Sequence, residues 1–597
     1  MRIRKEIKSL LIIGFCLGIL PIFNTGYANA EEEIEPVFYV SVLAPNTCPA
    51  RNQWATLMVE QLPKIGIGIE IFDHTGWAQI SLRTWGYPGP FPIPQYSEGG
   101  FDILFVGWGG DMDWSEAEIF SSDYIVPNGD NFYQYDSWEY DLAYNNYLTS
   151  LSIEDRLFWG DKMQQLLYKD QPTCTIKYPE ALYAHDFAFS GWDGVLWSEV
   201  YQSMENWTIP GQIEFQYATP ADFEDFHILL YDSVFDAQWL SQIYGSLVER
   251  SSSPLYSRGY APHIASSFSS VDGLTYNIQL NPDAVWADGH VLNASDIKYT
   301  YELLIYPNYL PSTHYCLPFI TNESVNIISE FELDITFNQT FAFQENNLAI
   351  DIIPKHVWEP ILPENHSSQA SIWALNDTLD SQKIFGAGPY FLEDYDATTG
   401  IIQLKRNEFY DDWSGITPYF EDIYFEFYSN REGALLALAA GDLDMVDSQF
   451  MPYISEIPTS AAYSLIDEAG NHEMALNNMN PFFGTGESCP ITGLESAQHV
   501  RHAMSHAIPR EVIVDEILDG IGKPGVTPCP STAIVFNHSL EHFEYSLEHA
   551  IEHMRLAGFD IPYTPSVAIG LNVPIILSII ALIGGSYYFI RKRTKLE

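Results

Sequence analysis

The chain has 597 residues, of which 46% are apolar and only 18% are charged, and this composition excludes a disordered or coiled-coil protein. Its length predicts several domain equivalents rather than one hydrophobic core. Lys and Arg number 27 against 79 Asp and Glu, which gives a net charge of −52. A nucleic-acid partner is therefore excluded, because such binding needs a basic surface.

Both ends of the chain carry targeting patterns. A basic start, an apolar run over 10–23 and the triplet Ala28-Asn29-Ala30 predict a signal peptide over 1–30, with an uncleaved anchor as the alternative. The apolar run 567–590 is long enough to cross a bilayer, and the basic tail 591–597 follows it. We expect a single-pass cell-membrane protein with its ectodomain outside and its C-terminus in the cytoplasm. A buried core helix is the alternative reading of the apolar run.

The cysteines and glycosylation sequons are consistent with an extracellular location. Five cysteines beyond the signal permit at most two disulfides and one free thiol, and the sequence leaves the pairing open: Cys48, Cys174, Cys316, Cys489 and Cys529. Seven N-x-[ST] triplets are candidate glycosylation sites: Asn206, Asn293, Asn322, Asn338, Asn365, Asn376 and Asn537.

Strands and helices alternate in the first part of the chain, which predicts a parallel α/β unit. The pattern predicts strands over 37–43, 67–72 and 101–106, and a helix over 50–66. Residues 152–171 predict a long helix with Ser152 as its N-cap. The pattern weakens over 192–225, and we expect the next strand at 226–231.

The second half of the chain shows clearer patterns of strands and helices. Alternation predicts strands at 275–280, 331–337 and 401–407. A helix is expected from 294, capped by Ser295 or Asp296, and others over 432–440, 496–508, 510–522 and 546–557.

Four linked blocks in this half resemble one protein family. They read APHIASSFSSVDGLTYNIQLNPDAVWADGHVLNASDIKYTYELL, GAGPYFLEDYDATTGIIQLKRNEFYDDW, VRHAMSHAIPREVIVDEILDGIGKP and EHAIEHMRLAGFD. The resemblance is to the family 5 extracytoplasmic solute-binding proteins of oligopeptide and dipeptide ABC transporters. It implies an α/β, bilobal, periplasmic-binding-protein type II-like fold with a hinge, here with one added C-terminal transmembrane helix. It also implies capture of a peptide or other small solute, delivery to an ABC permease with ATPase subunits, and no catalysis or cofactor.

The order of the blocks differs from the family order. Segments that close the family's chain stand here at the front, as QLPKIGIGIEI, FDILFVGWGGDMDW and IEDRLFWGDKMQQLLYKDQPTCTIKYPEALYAHDFAFSGW. We interpret the chain as a circular permutation, which chains tolerate when the old termini are close together. Lobe two is then split into 31–171 and 469–560, lobe one is 172–468, and 196–225 is the new linker.

The resemblance also suggests ligand-binding residues. The family's GW-x-x-D carboxylate, which pairs with a peptide's amino terminus, maps onto Asp111, with Asp113 beside it and Trp108 and Trp114 flanking it. Arg51, near the start of the first helix, is a candidate for binding a peptide carboxylate. Ordinary loop, core and surface roles for these five residues are the alternatives.

Three other functions stay open. One is a tethered receptor that senses a ligand without transporting it, and another is an oligosaccharide-binding member of the same family, which the 15% aromatic content suits. The third is a zinc-dependent surface hydrolase, because His549, Glu552 and His553 spell H-x-x-E-H, with His542 one heptad earlier. The alternative for these histidines is a solvated surface helix, and for the i, i+4 pair His502 and His506 it is an ordinary core or surface position.

Overall fold

The computed structural model describes residues 34–562 except 47–48, 193–203, 232, 252, 254, 257–258, 310, 312–317 and 377. The predicted signal peptide 1–30, membrane span 567–590 and tail 591–597 lie outside the described residues, as do Cys48 and Cys316. Within the part that is described, no helix combines the length and apolarity that a bilayer crossing requires.

The strands of the described residues are β1 Phe38–Pro45, β2 Ile67–Thr75, β3 Ile103–Gly109, β4 Thr173–Tyr178, β5 Glu180–His185, β6 Glu214–Thr219, β7 Gly245–Ser246, β8 Val248–Arg250, β9 Tyr260–Pro262, β10 Ala265–Ser270, β11 Thr275–Leu280, β12 Val325–Ser329, β13 Glu332–Thr336, β14 Asp351–Ile352, β15 Tyr390–Asp396, β16 Ile401–Arg406, β17 Asp422–Phe427, β18 Met445–Val446, β19 Ala462–Asp467, β20 Gly470–Leu476 and β21 Lys523–Pro524. The α-helices are α1 Pro49–Gln61, α2 Trp77–Ser81, α3 Trp138–Leu148, α4 Ile153–Asp170, α5 Val234–Leu240, α6 Ala294–Leu304, α7 Lys355–Trp358, α8 His366–Asn376, α9 Thr378–Ser381, α10 Tyr410–Ser414, α11 Arg431–Ala440, α12 Leu494–His506, α13 Arg510–Val512 and α14 Leu547–Leu556.

Lobe two is built on a mixed six-stranded sheet in the order β2-β1-β3-β20-β4-β21. β1 runs parallel to β2 and β3, whereas β20 runs antiparallel to β3 and β4. Buried apolar residues of β1, α1, α12 and α14 form one core cluster with this sheet. The α/β unit predicted for the first part of the chain is therefore present.

Lobe one contains a seven-stranded sheet in the order β15-β16-β17-β6-β18-β5-β19 and a four-stranded antiparallel sheet in the order β10-β11-β13-β12. The strand predicted at 226–231 is wrong. The strand is β6, Glu214–Thr219, which lies between β17 and β18 at the centre of the larger sheet. The segment 226–231 is apolar because Phe226, Ile228 and Leu229 are buried in the core, and a short apolar run does not by itself distinguish a strand from a packed loop.

The two lobes are joined by two direct strand-to-strand crossings. β4 of lobe two continues through Pro179 into β5 of lobe one, and β19 of lobe one continues through Glu468 and Ala469 into β20 of lobe two. The backbone N–H of Glu468 donates to the carbonyl of Pro179 at 3.1 Å, so the crossings lie side by side. The first crossing lies one strand beyond the boundary expected at 171, because β4 pairs with β20 of lobe two. The whole is an α/β fold of two sheet-based lobes joined by two adjacent crossings.

The first and last described segments meet on lobe two. The rings of Phe38 and Phe559 pack with centroids 5.5 Å apart. Gly66 connects the same two segments, since its carbonyl accepts from the N–H of Val37 at 2.8 Å and its Cα faces the side chain of Ile561. The two ends of the described chain are therefore close together.

Helix caps follow the local sequence in one case and depart from the expectation in another. Ser152 caps α4, because its hydroxyl accepts from the N–H of Asp155 at 3.0 Å, as predicted. The cap expected at Ser295 or Asp296 is wrong, since Asn293 caps α6. The Asn293 side chain accepts from the N–H of Ser295 at 2.9 Å, and Asp296 accepts in return from the N–H of Asn293 at 3.0 Å, which forms a capping box.

Three of the five cysteines lie in the described part of the chain, and all three are buried free thiols: Cys174, Cys489 and Cys529. Among the sequons, Asn293 is committed to the α6 cap and Asn537 bonds Asp161. Glycosylation at any of the seven stays a prediction.

Candidate ligand-binding site

A cavity of about 300 Å³ lies between the lobes, next to the crossings. Lobe two contributes Arg51, Trp54, Lys177 and His472 to its wall. Lobe one contributes Ser448, Gln449, Met451, Pro452 and Tyr453. Pro179 and Glu468, the crossing residues, also line it, and we call them its floor. The remaining lining residues are Glu180, Ala181, Leu182, Leu518 and Ile521. A movement of one lobe against the other would therefore change the size of this cavity.

The sequence places two cations on the lobe-two wall. Arg51 stands at the start of α1, immediately beyond the carboxyl end of β1, where ligands bind in α/β sheets. Lys177 of β4 and His472 of β20 are cross-strand partners in the sheet, so their side chains reach the same wall. Trp54 packs edge-on against Phe105 at 5.1 Å and thus supports this wall from the core.

Gly107 of β3 allows Arg51 and His472 to approach the sheet. A Cβ at Gly107 would lie 2.6 Å from Cδ2 of His472 and 2.9 Å from Nη2 of Arg51, both closer than carbon atoms tolerate. The guanidinium of Arg51 also lies 5.8 Å from the centre of the Trp77 ring, a cation–π distance. The wall thus depends on a residue without a side chain.

Two carboxylates, Glu180 and Glu468, line the cavity beside the crossings. Glu180 accepts from the N–H of Gly522 at 2.9 Å and lies 3.6 Å from the ammonium of Lys523. Burial raises the pKa of Glu468, although Lys177 opposes the shift. Burial, reinforced by Lys177 and Arg51, holds the pKa of His472 well below 6.5, so its imidazole is neutral. The cavity lining therefore combines cationic side chains with carboxyl groups, and a zwitterionic ligand could use both.

Of the five predicted binding residues, Arg51 lines this cavity and the other four do not. Asp111 accepts through Oδ1 from the backbone N–H groups of Asp113 at 2.8 Å and Ser115 at 3.2 Å, which closes the loop after β3. Burial and the neighbouring Asp113 raise the pKa of Asp111, and burial together with Asp111 raises the pKa of Glu116 to about 8. Asp111 and Glu116 thus form a half-buried acidic pair at this loop.

Asp113 lies in an ion cluster that joins the two lobes. Its carboxylate is 3.4 Å from Arg156 of α4 and 3.0 Å from Arg250 of β8, and the hydroxyl of Tyr260 donates to it at 3.1 Å. Only 1% of its side chain is exposed. Arg250 and Tyr260 belong to lobe one, so this cluster links the lobes at a second place away from the crossings.

The two predicted tryptophans pack within lobe two. The indole N–H of Trp108 donates to the hydroxyl of Tyr133 at 2.8 Å and to the carboxylate of Glu473 at 3.0 Å. Burial raises the pKa of Glu473 to about 7. Trp114 is buried against Tyr147. A ligand-binding role for Trp108, Trp114, Asp111 and Asp113 stays a prediction.

The H-x-x-E-H stretch lies in α14, packed against α12. His549 and His553 meet three histidines of α12, and we call this set the histidine cluster: His499, His502, His506, His549 and His553. Nδ1 of His499 lies 3.0 Å from Nδ1 of His553. In the described residues, no three ligand atoms of this cluster converge as a zinc site requires.

Sequence reasoning missed Lys177, His472 and Glu468. Each is a charged or titratable residue within or beside a mainly apolar strand, in TCTIKY, GNHEMAL and the IDEAG turn. A lysine or histidine within an otherwise apolar strand could have indicated these residues, because a charged group that is buried needs a partner.

The chain belongs to the family of bacterial extracellular solute-binding proteins, family 5 Middle, whose model matches residues 259–575. It is similar to the heme-binding protein A of Haemophilus influenzae, with 24% identity over 53% of this chain and 57% of that protein. It is also similar to the oligopeptide-binding protein AppA of Bacillus subtilis, with 24% identity over 50% of this chain and 51% of that protein. The chain thus spans about half the length of the curated relatives it matches.

Among solved structures, AppA of Bacillus subtilis in complex with a nonapeptide matches 60% of this chain and 65% of its own, with 18% identity and a TM-score of 0.39. HbpA2 of Haemophilus parasuis matches 58% of this chain and 67% of its own, with 18% identity and a TM-score of 0.44.

Proposed function

We propose that this protein captures a peptide in the cavity between its lobes and delivers it to an ABC permease powered by separate ATPase subunits. The observation that carries the proposal is the interlobe cavity, whose lining includes the cations Arg51 and Lys177 and the carboxyl groups Glu180 and Glu468. Membership of the family 5 solute-binding proteins supports the same activity, as does the name of the oligopeptide-binding relative.

The charges suggest how a peptide lies in the cavity. A guanidinium and an ammonium on one wall suit the carboxylate terminus of a peptide, and carboxylates on the floor suit its amino group. A cavity of about 300 Å³ is at the small end of ligand sites, which favours short peptides. The resemblance assigns the amino terminus to Asp111, and this assignment remains part of the proposal.

The experiment is a calorimetric titration of the protein with a short peptide in free, C-terminally amidated and N-acetylated forms. Arg51→Gln should weaken the free and N-acetylated forms by roughly 10- to 150-fold, the equivalent of a charged hydrogen bond worth about 1.5–3 kcal/mol. It should affect the amidated form far less. Arg406→Gln is the matched control, since Arg406 forms an ion pair with Glu421 outside the cavity. Equal losses for all three forms would remove Arg51 from the site, and binding of an oligosaccharide instead of any peptide would overturn the ligand class.

Circular permutation is the second part of the proposal. The contact between Phe38 and Phe559 supports it, because the old chain connection has to lie there. A variant that joins Pro562 to Ile34 by a short linker and opens the chain within 193–203 would restore the family's order. We expect it to fold and to bind the same ligand as the natural chain. Failure of this variant to fold would contradict the permutation.

Secretion and anchoring are the third part. The pattern at 1–30 and the apolar run 567–590 with its basic tail support a cell-surface protein held by one C-terminal span. A chain that ends at 566 should leave the membrane fraction and keep its ligand affinity. Co-purification of the intact chain with a permease would support transport, whereas a stable complex with a signalling partner alone would support the tethered receptor.

A further inference from the structure

Three side chains with metal-binding atoms converge on the surface of lobe one. The carboxylate Oδ2 of Asp288 lies 2.8 Å from Nδ1 of His290 and 2.8 Å from Nε2 of His356. The two imidazole rings are 4.3 Å apart, and all three ligand atoms lie within 4.8 Å of one another. Among the described residues, this is the group in which three such atoms come together.

The backbone holds Asp288 and His290 in a tight turn. The N–H of Trp286 donates to the carbonyl of His290 at 2.9 Å, and Gly289 adopts a positive φ of 84°, which favours glycine. Oδ1 of Asp288 accepts from the N–H of His290 at 3.1 Å. That bond fixes the carboxylate and leaves Oδ2 turned toward the two imidazoles.

A second element brings His356 to this turn. His356 lies in α7, whose first N–H, that of Lys355, donates to Asp296 at 3.0 Å. Asp296 is also part of the α6 capping box, so α7 is pinned to the rigid start of α6. The three ligands are therefore held by two separately anchored segments, 286–290 and 355–358, that are distant in sequence.

We propose that Asp288, His290 and His356 bind a divalent transition-metal ion such as Zn²⁺. Two imidazoles and one carboxylate are ligands that zinc uses, and imidazole nitrogen disfavours Mg²⁺ and Ca²⁺. Water completes the coordination, since the side chain of His290 is 66% exposed. In the metal-bound state, Nδ1 of His290 and Nε2 of His356 bind the metal instead of a proton, and their 2.8 Å contacts with Asp288 widen to admit it. The site lies outside the interlobe cavity and does not depend on the proposed peptide binding.

The experiment measures the two histidines directly in the full chain. Diethyl pyrocarbonate modifies accessible imidazole nitrogens, and peptide mass spectrometry reads each of the 16 histidines separately. Zn²⁺ alone should slow modification of His290 and His356 together by about tenfold or more. His542 is the matched control, because it forms an exposed 2.6 Å pair with Glu511 and has 33% of its side chain exposed.

Two variants test the geometry. Asp288→Asn keeps an oxygen for the N–H of His290 but removes the charged ligand. We expect protection of His356 to need at least about tenfold more Zn²⁺, since loss of even an outer-shell partner lowers metal affinity by that factor. His290→Gln should have the same effect on His356. Unchanged modification rates in the presence of Zn²⁺, or protection of His356 that survives both variants, would overturn the proposal. Equal protection of His542 would also overturn it, because the effect would then be general.

Discussion

Asp113→Asn tests whether Asp113 stabilises the fold or binds the ligand. In the structure the Asp113 carboxylate is the shared partner of Arg156, whose side chain is 2% exposed, and Arg250, whose side chain is 14% exposed. The variant keeps the shape of the side chain and removes its charge. Two guanidinium groups would then remain in a buried place without this counter-charge.

The expected loss follows from that burial. Removing one partner of a buried ion pair typically lowers the free energy of unfolding by about 3–5 kcal/mol, because the remaining charge stays desolvated. Here one carboxylate serves two cations, so we place Asp113→Asn at the upper part of that range. A surface ion pair would lose only about 0–1 kcal/mol.

The assay is guanidinium unfolding followed by tryptophan fluorescence, with ligand affinity measured on the same samples. Asp123→Asn is the control, since Asp123 is exposed nearby and its loss should change the free energy of unfolding by less than about 0.5 kcal/mol. A loss below about 1 kcal/mol for Asp113→Asn, combined with weaker ligand binding, would refute the structural role. It would restore Asp113 as a binding residue.

Three further predictions concern other sites. Burial and the surrounding histidine cluster lower the pKa of His553 to about 4, so the unfolded chain takes up the proton first as pH falls below about 6.5. The free energy of unfolding should therefore fall by about 1–2 kcal/mol between pH 6.5 and 4, after allowance for the partial exposure of His553. His553→Gln should flatten the pH profile of urea unfolding. Gly107→Ala should disturb the cavity wall at Arg51, lower the free energy of unfolding by about 1–3 kcal/mol through overpacking, and weaken ligand binding in calorimetry. Gly109→Ala should leave both quantities unchanged, because nothing lies within 4 Å of a Cβ at that position. Asn293→Ala should lower the free energy of unfolding by about 1 kcal/mol in denaturant titration, and Asn293→Asp should retain the cap.

The parts of the fold that the sequence predicts are those set by local chemistry. The α4 helix begins at Ser152 because a hydroxyl there caps it, and α11 ends at Gly441 because glycine adopts the positive φ of 80° found at its C-cap. The prediction of a strand at 226–231 was wrong because tertiary packing, and not the local apolar pattern, decides the structure there. An apolar run there packs as a loop, while the more polar segment Glu214–Thr219 becomes a central strand through its neighbours β17 and β18.

The candidate site was harder to predict because its residues meet only in the folded chain. Lys177 and His472 become neighbours when β4 pairs with β20, and neither belongs to a motif that marks the other. Asp113 is separated from its partners Arg156 and Arg250 by 43 and 137 positions. A motif that places a carboxylate after a buried strand does not reveal which cation will approach it. Arg51 was named from the family resemblance, and its place beyond β1, where ligands bind in α/β sheets, agrees with its position in the cavity lining.

The two adjacent crossings determine how the lobes can move. Two short connections side by side define one hinge axis. Rotation of one lobe about this axis leaves both connections at their length. Pro179 and Glu468 lie on the axis and also line the cavity, so the floor of the cavity stays nearly fixed while its outer walls separate. The ion cluster around Asp113 joins the lobes away from this axis and has to break when they part. On the proposed function, recognition at the floor and closure at the ion cluster are then separable steps. A ligand that fits the floor would still be retained or released according to the state of a contact it never touches.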